Sequence, residues 1–216
     1  MMNKRNLREI DDLKELKKAV HIVGLTGGIA SGKTVATDAL KRARFTVIDA
    51  DEISRKLFGR GTDGEKLLCG LFPAATDNGV LNRAILRRII SENADEKKKL
   101  DGATHPIIKQ EIAKEISQCG KGEHIVLSAP LLLESGLSSL CDCVVCITCP
   151  TRIRIERLSS RDGVSIEAAK KIIDAQIPDA YRATLSDFCI PSDRSLDDFT
   201  AEAVELFQTL FGTKKR

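Results

Sequence analysis

Long hydrophobic runs and an excess of charge of one sign are both missing from this sequence. Its longest apolar stretches fall far short of the about 20 residues that a membrane-spanning helix requires. The 34 basic and 31 acidic residues nearly balance, which leaves a formal net charge of +3. This balance gives no electrostatic reason to expect nucleic acid or an anionic membrane as a partner. We therefore expect a soluble protein, in which a local basic site for a small phosphorylated molecule remains open.

An export signal is missing as well. Residues 1–20 mix basic and acidic side chains and contain no apolar core segment, so we expect a cytoplasmic location. Their apolar residues recur every three or four positions, which predicts an amphipathic N-terminal helix. Two interpretations of this helix stay open, docking on the body of the protein and disorder. Its apolar positions are Leu7, Ile10, Leu13, Leu16 and Val20.

Cysteine is frequent, but its spacing argues against a metal site. Cys141, Cys143, Cys146 and Cys149 lie within nine residues, and the valines and isoleucine between them indicate a buried strand. A strand rises about 3.3 Å per residue and alternates its faces, so these thiols cannot gather at the about 2.3 Å that zinc requires. We interpret them as small core residues in a reducing compartment.

Five short apolar runs that alternate with helical stretches predict the fold. This is the pattern of an α/β protein with a five-stranded parallel sheet between two layers of helices. The length of 216 residues allows one sizeable core with a smaller lobe. Most of the runs are continuously apolar, as parallel strands buried on both faces are. The predicted strands cover residues 21–26, 45–50, 124–129, 143–148 and 187–190.

One connection is much longer than a crossover between parallel strands requires. More than 70 residues separate Ala50 from His124, where about a dozen suffice. We predict an all-helical insert at the carboxyl end of the second strand, where such sheets bind ligands. Its predicted helices cover residues 52–58, 64–71, 82–90 and 94–117, the last with a candidate break near Pro106. We thus expect a single domain over residues 21–216, with a core (21–51, 118–151 and 177–216), the insert (52–117) and a basic lid (152–176).

The segment from Gly27 to Thr34 carries the clearest functional signal. It reads Gly-Gly-Ile-Ala-Ser-Gly-Lys-Thr and matches the P-loop pattern G-x-x-x-x-G-K-[ST], between a predicted strand and a predicted helix. Glycines allow unusual φ angles and let backbone N–H groups approach phosphate oxygens, which the start of the helix also attracts. We expect Lys33 to contact the β and γ phosphates and Thr34 to bind Mg²⁺. The predicted ATP-binding residues are Gly28, Ile29, Ala30, Ser31, Gly32, Lys33, Thr34 and Val35.

A P-loop alone does not define the reaction, because GTPases, motor ATPases and small kinases all use it. A GTPase normally carries an Asn-Lys-x-Asp motif late in the chain, and this sequence has none. The large motor ATPases need a longer chain. A small-molecule kinase is therefore favoured, and a nucleotide-binding regulator that transfers nothing is the alternative from another class.

Two aspartates follow the second predicted strand. Asp49 and Asp51 are two positions apart, so they lie on one face at the edge of the sheet where the P-loop also lies. An acceptor hydroxyl needs a base near the γ-phosphate, and we expect Asp51 to be that base or a ligand of Mg²⁺. The alternative is that one of the two only caps the helix that begins at Glu52.

Arginines are concentrated in the predicted lid. Arg154, Arg157 and Arg161 are spaced by three and four residues, which places them on one face of a helix. Guanidinium groups on one face repel each other unless anions lie between them, as the phosphates of ATP would. The alternative is a solvated surface on which these side chains pair with Glu156 and Asp162.

In combination, these motifs resemble the dephospho-CoA kinase family, from about His21 to beyond Gln176. The resemblance implies ATP-dependent phosphorylation of the ribose 3′-hydroxyl of dephospho-CoA, with a P-loop core, a helical CoA-binding insert and an arginine-rich lid. We further expect a monomer or a weak homo-oligomer, with ATP and dephospho-CoA as partners. The segments that carry it are Gly24-Leu25-Thr26-Gly27-Gly28-Ile29-Ala30-Ser31-Gly32-Lys33-Thr34, Val47-Ile48-Asp49-Ala50-Asp51, His105-Pro106, Pro130-Leu131-Leu132-Leu133-Glu134-Ser135-Gly136, Arg157-Leu158, Arg161-Asp162-Gly163 and Ala175-Gln176.

The resemblance also assigns roles by position. It makes Asp51 the base, with Lys33, Arg157 and Arg161 as the other catalytic residues. An acceptor of another kind, such as a nucleoside monophosphate, is the alternative, because kinases for such acceptors share the P-loop and the arginine lid. The residues that would contact the acceptor are Thr26, Asp49, His105, Leu131, Leu132, Leu133 and Glu134.

Two positions depart from the family pattern. Ala30 stands where the family usually has glycine, and we expect an alanine to be tolerated there only if its φ is negative. After the last strand the family tends to read Ile, an acid, Asn and Gly near the adenine, whereas residues 190–194 read Ile-Pro-Ser-Asp-Arg. We expect this second departure to affect contacts with the adenine and leave the transfer step unchanged.

Overall fold

The structure is a computed structural model that describes residues 22–120 and 123–212. The predicted N-terminal helix of residues 1–20 lies outside this range. By compactness the chain divides into a unit of residues 49–119 and a larger unit formed by the residues before and after it. Among the described residues, no helix is long and apolar enough to cross a membrane.

A five-stranded parallel sheet forms the centre of the larger unit, as the sequence predicted. Its strands are β1 (Ile22–Gly27), β2 (Thr46–Asp49), β5 (Ile125–Ser128), β6 (Cys143–Thr148) and β7 (Phe188–Pro191), in the order β2-β5-β1-β6-β7. β1 is thus the central strand, with Val23 paired to Val126 on one side and to Cys143 on the other. The loop that follows β1 therefore lies at the middle of the carboxyl edge of the sheet.

Helices cover both faces of this sheet. The larger unit contains α1 (Lys33–Arg42), α6 (Thr151–Asp162), α7 (Ile166–Asp174), α8 (Asp179–Thr184) and α9 (Leu196–Leu210). Val145 and Ile147 of β6 pack into a core with α1 and α9. Cys146 points to the opposite face because side chains alternate along a strand, and α8 contacts β6 there. This confirms the predicted three-layer α/β fold.

The cysteines of β6 are core residues. Cys143, Cys146 and Cys149 are buried, and all seven cysteines of the chain are free thiols. Burial raises the pKa of Cys143 to about 12, so this group stays a neutral thiol rather than the thiolate that a metal binds. Nowhere in residues 22–120 and 123–212 do three or more His, Cys, Asp or Glu side chains form a group that could hold a metal ion.

The unit of residues 49–119 is mainly helical. It contains α2 (Ala50–Leu57), α3 (Asp63–Leu71), α4 (Arg83–Glu92) and α5 (Ala94–Gln118), close to the predicted bounds. α5 continues unbroken through Pro106, contrary to the candidate break. The core of this unit brings together apolar residues from the end of α2, from α3 and α4, and from the segment between α3 and α4. These residues are Phe58, Leu68, Phe72, Ala75, Leu81 and Leu86.

A small hairpin in this unit corrects the prediction of helices alone. The strands β3 (Thr76–Asp77) and β4 (Val80–Leu81) pair antiparallel across Asn78 and Gly79. Both turn residues have positive φ, 46° and 78°, as the two central positions of a tight hairpin turn require. The Asn-Gly pair was the available signal, but strands of two residues are too short to show an alternating pattern.

Glu65 connects the start of α3 to this hairpin. Thr62 caps α3 through the N–H of Glu65, and the Glu65 carboxylate accepts hydrogen bonds from the N–H of Gly61 at 2.6 Å and of Leu81 at 3.4 Å. The bond from Gly61 is the main reason why the pKa of Glu65 is lowered from its ordinary value of 4.5. The ionised form therefore stabilises the fold.

We predict that Glu65→Gln destabilises the protein at pH 7 but has little effect in acid. A lowered folded-state pKa contributes stability above the ordinary value, and this contribution is lost as the pH falls through the folded-state pKa. Urea unfolding of both proteins between pH 7 and pH 3 measures it. Glu92→Gln, at an exposed position of α4, is the matched control. A difference between wild type and Glu65→Gln that does not change with pH would contradict the prediction.

Candidate active site

The P-loop occupies the connection between β1 and α1. β1 ends at Gly27 and α1 begins at Lys33, with Gly32 as its N-cap at φ 101°. The N-cap residue Gly32 has no side chain with which to cap the first turn of α1. The N–H groups of a helix start carry partial positive charge and need acceptors. This helix start is therefore suited to bind the oxygens of a phosphate.

The glycines of the loop serve two different purposes. Only Gly32 uses a positive φ, whereas Gly27 and Gly28 do not. A Cβ atom at Gly27 would lie 2.5 Å from the Ser31 Oγ, and one at Gly28 would lie 2.4 Å from the Arg154 Nη2. Gly27 and Gly28 are thus required because a Cβ atom has no room at these positions, and not because of an unusual φ angle.

Ala30 contradicts the expectation of a negative φ. Its φ is 60°, in the left-handed region that a Cβ atom disfavours by about 1 kcal/mol. The side chains of Ile29 and Ala30 pack against a buried cluster of Leu158, Ala169 and Ile173 from α6 and α7. Burial of these apolar groups offsets part of the cost, so the alanine persists in a conformation that favours glycine.

Lys33 lies buried beside the loop. Its Nζ donates a hydrogen bond to the Ser128 Oγ at 2.9 Å, and the Thr37 Oγ1 lies 3.2 Å from the same oxygen. Ser128 is the last residue of β5, so the strand next to β1 contributes a hydroxyl at this point. The Thr34 side chain is exposed on the first turn of α1.

Ser192 connects the loop to α6, the first helix of the predicted lid. Its Oγ donates to the Ser31 carbonyl at 2.5 Å and accepts from the Arg157 Nη1 at 3.0 Å, and its carbonyl accepts from the Arg157 Nη2 at 2.8 Å. Arg157 is therefore fixed toward the loop by two hydrogen bonds. A cavity of about 240 Å³ is lined by Gly32, Val35, Arg157, Ser192, Arg194, Leu196 and Phe199.

The other two lid arginines have different surroundings. Arg161 is exposed and forms two hydrogen bonds with Asp162, at 2.7 and 3.0 Å. Arg154 is only 2% exposed and pairs with Asp179 at 2.8 Å, so it does not share an open face with Arg157 and Arg161. The three-arginine face predicted from spacing is therefore wrong for Arg154, because this side chain points into the protein.

The segment after β5 holds several of the residues predicted to contact the acceptor. The Thr26 Oγ1 donates to the Pro130 carbonyl at 3.2 Å, and the buried Arg182 bonds to the same carbonyl and pairs with Glu134, both at 3.0 Å. Leu132 is fully buried, so its side chain presents no surface to a ligand. Leu131 is exposed and Leu133 is partly exposed.

The remaining predicted residues belong to the unit of residues 49–119. Asp49 ends β2 and caps α2, since its Oδ1 accepts from the N–H of Asp51 at 2.9 Å and of Glu52 at 3.2 Å. Asp49 is thus the aspartate that caps the helix, as the alternative interpretation expected. A contact between Asp49 and an acceptor stays a prediction. Asp51 is exposed on the first turn of α2. On α5, the His105 Nε2 lies 3.7 Å from the Asp101 Oδ1.

Sequence reasoning missed Asp179 and Arg182. Both lie on α8, three residues apart, and each pairs with a residue more than 20 positions away, Arg154 and Glu134. The pattern of α8 carries no signal for these pairs, because an acid and a base three residues apart are ordinary on a solvated helix.

Comparison with known proteins agrees with this geometry. A family model described as dephospho-CoA kinase matches residues 21–198. The chain belongs to the dephospho-CoA kinase family. One member, a dephospho-CoA kinase from Pseudoalteromonas translucida, is 36% identical over 177 residues, which cover 81% of this chain and 84% of that protein. The resemblance inferred from the motifs is thereby confirmed.

Solved structures share this fold, and one of them is a dephospho-CoA kinase. A dephospho-CoA kinase from Campylobacter jejuni superposes with a TM-score of 0.66 at 28% identity, covering 89% of this chain and 98% of the other. TT1252 from Thermus thermophilus superposes with a TM-score of 0.79 at 26% identity, covering 92% and 100%. A shikimate kinase from Bacteroides thetaiotaomicron, with a TM-score of 0.51, 20% identity and coverage of 90% and 99%, shares the fold alone.

We predict that Ala30→Gly raises the free energy of unfolding by at most about 1 kcal/mol, because the removal of the Cβ strain at φ 60° outweighs the lost packing and the added entropy of the unfolded chain. Urea unfolding measures the change. Ala201→Gly, at an exposed position within α9, is the control and should lower the same quantity by about 1 kcal/mol. If both substitutions destabilise the protein equally, residue 30 does not have the left-handed conformation.

Proposed function

We propose that this protein transfers the γ-phosphoryl group of ATP to the ribose 3′-hydroxyl of dephospho-CoA, giving CoA and ADP as the last step of coenzyme A biosynthesis. The observation that carries the proposal is a complete P-loop with a buried lysine, in a chain of the dephospho-CoA kinase family. We also propose a cytoplasmic enzyme that is a monomer or a weak homo-oligomer.

The loop would bind the phosphates of ATP through its backbone. Residues 28–35 lead from β1 into the start of α1, whose N-cap residue Gly32 has no capping side chain, and this geometry supports the proposal. Lys33 would exchange its hydrogen bond to Ser128 for the β and γ phosphates, because its side chain is flexible. The cavity between Gly32 and Arg194 is the proposed position of the adenine.

Mg²⁺ is the metal that this donor set fits. Thr34 presents an exposed hydroxyl and Asp51 an exposed carboxylate, and Mg²⁺ prefers such oxygen ligands together with phosphates and water. When bound, the ion would offset negative charge on the phosphates. Thr34 and Asp51 are the residues of this chain proposed to hold it.

Asp51 is the proposed base. Its carboxylate would accept the proton of the 3′-hydroxyl as that oxygen attacks the γ-phosphorus, while the bond to the bridging oxygen breaks and ADP leaves. Arg157, fixed by Ser192, and Arg161, released from Asp162, would stabilise the charge on the transferring group. The acceptor itself would be held by Thr26, Asp49, His105, Leu131, Leu133 and Glu134, with Leu132 contributing to the core beneath them.

We predict that dephospho-CoA accelerates the release of ADP, and that AMP, dCMP and shikimate at the same concentration do not. A coupled assay for ADP with each acceptor in turn makes the comparison. Acceleration by AMP but not by dephospho-CoA would overturn the proposed acceptor in favour of a nucleoside-monophosphate kinase. Tight binding of ATP with no acceleration by any acceptor would favour a regulator.

We further predict that Asp51→Asn lowers kcat by about 10²–10⁴-fold, the usual contribution of a general base, while the Kd for ATP stays within a factor of two. Steady-state assays and calorimetric titration measure the two quantities. Asp95→Asn, at an exposed position of α5, is the matched control in the same unit. Near-normal turnover of Asp51→Asn would remove this residue from the mechanism.

A further inference from the structure

Arg154 is a buried charge beside the P-loop, with contacts to three other residues. Its Nε donates to the Ile29 carbonyl at 2.8 Å, its Nη2 donates to the Gln176 Oε1 at 3.0 Å, and its Nη1 pairs with the Asp179 Oδ1 at 2.8 Å. Its side chain is 3% exposed and that of Asp179 is 17% exposed. The guanidinium thus connects the loop to α8 and to Gln176, which lies two residues after the end of α7.

Arg154 and Gln176 together hold the backbone of Ile29 from two sides. The Ile29 N–H donates to the Gln176 Oε1 at 2.8 Å, while its carbonyl accepts from Arg154. The carbonyl of Ile29 and the N–H of Ala30 belong to one peptide plane. A bond to that carbonyl therefore fixes the direction in which the Ala30 N–H points.

The contacts of Arg154 with Ile29 and Asp179 explain two unusual features of the loop. Gly28 must lack a Cβ atom because Arg154 and Asp179 occupy that space, at 2.4 and 2.8 Å from where the Cβ atom would be. Ala30 adopts φ 60°, and a non-glycine residue keeps this conformation only where its surroundings impose it. The bonds to the preceding peptide are such a constraint.

Stability alone is a poor reason for a buried pair of this kind. Removal of two charges from water costs about as much as their attraction returns, so apolar residues of similar volume often serve equally well. The N–H groups of a guanidinium point in fixed directions. By donating a hydrogen bond to a backbone carbonyl, a guanidinium sets the orientation of that carbonyl, which an apolar residue cannot do.

We propose that Arg154 is a positioning residue for nucleotide binding: paired with Asp179, it holds the Ile29–Ala30 peptide so that the loop presents its N–H groups to the phosphates of ATP. The proposal rests on the proposed function only in taking ATP as the ligand of the P-loop. It does not depend on which acceptor is phosphorylated. Arg154 would touch neither substrate and would act through the loop.

The test compares a broken pair with an apolar replacement of the whole pair. Arg154→Ala leaves the Asp179 carboxylate buried without its partner, and this variant is expected to lose both stability and affinity for ATP. Arg154→Met/Asp179→Leu removes both charges at similar volume, so it is expected to fold with a thermal midpoint close to that of wild type. Arg152→Ala, whose side chain is exposed on the same helix α6, is the control.

The measurement is the Kd for ATP with Mg²⁺, by calorimetric titration without acceptor, well below the thermal midpoint. We expect a Kd raised about tenfold or more in Arg154→Met/Asp179→Leu, as the loss of a charge-assisted hydrogen bond implies, and an unchanged Kd in Arg152→Ala. A Kd within twofold of wild type in the folded double variant would overturn the proposal and leave Arg154 with a structural role.

The same titration separates this proposal from the proposed function. If wild type binds ATP but does not phosphorylate dephospho-CoA, the acceptor is wrong and the comparison of variants still stands. If Arg154→Ala does not fold, the double variant decides alone. If the double variant does not fold either, the role of the pair is structural and the proposal is overturned.

Discussion

A phosphate-binding loop must leave backbone N–H groups available to its ligand, so it cannot use them to stabilise itself as a helix or a strand does. This constraint governs the larger unit. The loop has one internal backbone bond, from the Ser31 N–H to the Gly28 carbonyl, and its other supports come from distant side chains. Gln176, Arg154 and Ser192 bond to its backbone across 147, 125 and 161 residues of sequence.

The distribution of buried polar side chains follows from the same constraint. Among the described residues of the larger unit, eight polar side chains are buried, and they cluster around the loop and the segment after β5. An apolar core elsewhere needs no such groups, because burying a polar atom is costly unless it is hydrogen-bonded. The requirements of the phosphate-binding loop at this edge of the sheet therefore determine where polar side chains are buried. The eight residues are Thr26, Ser31, Lys33, Thr37, Ser128, Arg154, Arg182 and Ser192.

The features predicted correctly from the sequence were those encoded locally. The P-loop is defined by eight consecutive residues, and each strand by one apolar run, so their positions followed from spacing alone. The burial of Arg154 did not, because helical periodicity puts residues on a common face but does not say what that face contacts. Asp179 was missed for the same reason: its partner lies 25 positions away, and only the packed sheet brings them together.

The departure from the family pattern at residues 190–194, at the end of β7 and directly after it, bears on both the P-loop and the neighbouring cavity. β7 is an edge strand whose last residue, Pro191, has no N–H to donate to β6, and the N–H of Ser192 bonds to the Thr148 carbonyl at 2.9 Å. Ser192 then bonds to the Thr148 carbonyl, to the loop and to Arg157, which keeps the support of the P-loop intact. Arg194 pairs with Glu202 and lines the cavity proposed for the adenine. Ser192 and Arg194 therefore form part of the wall of that cavity, and Ser192 also supports the P-loop.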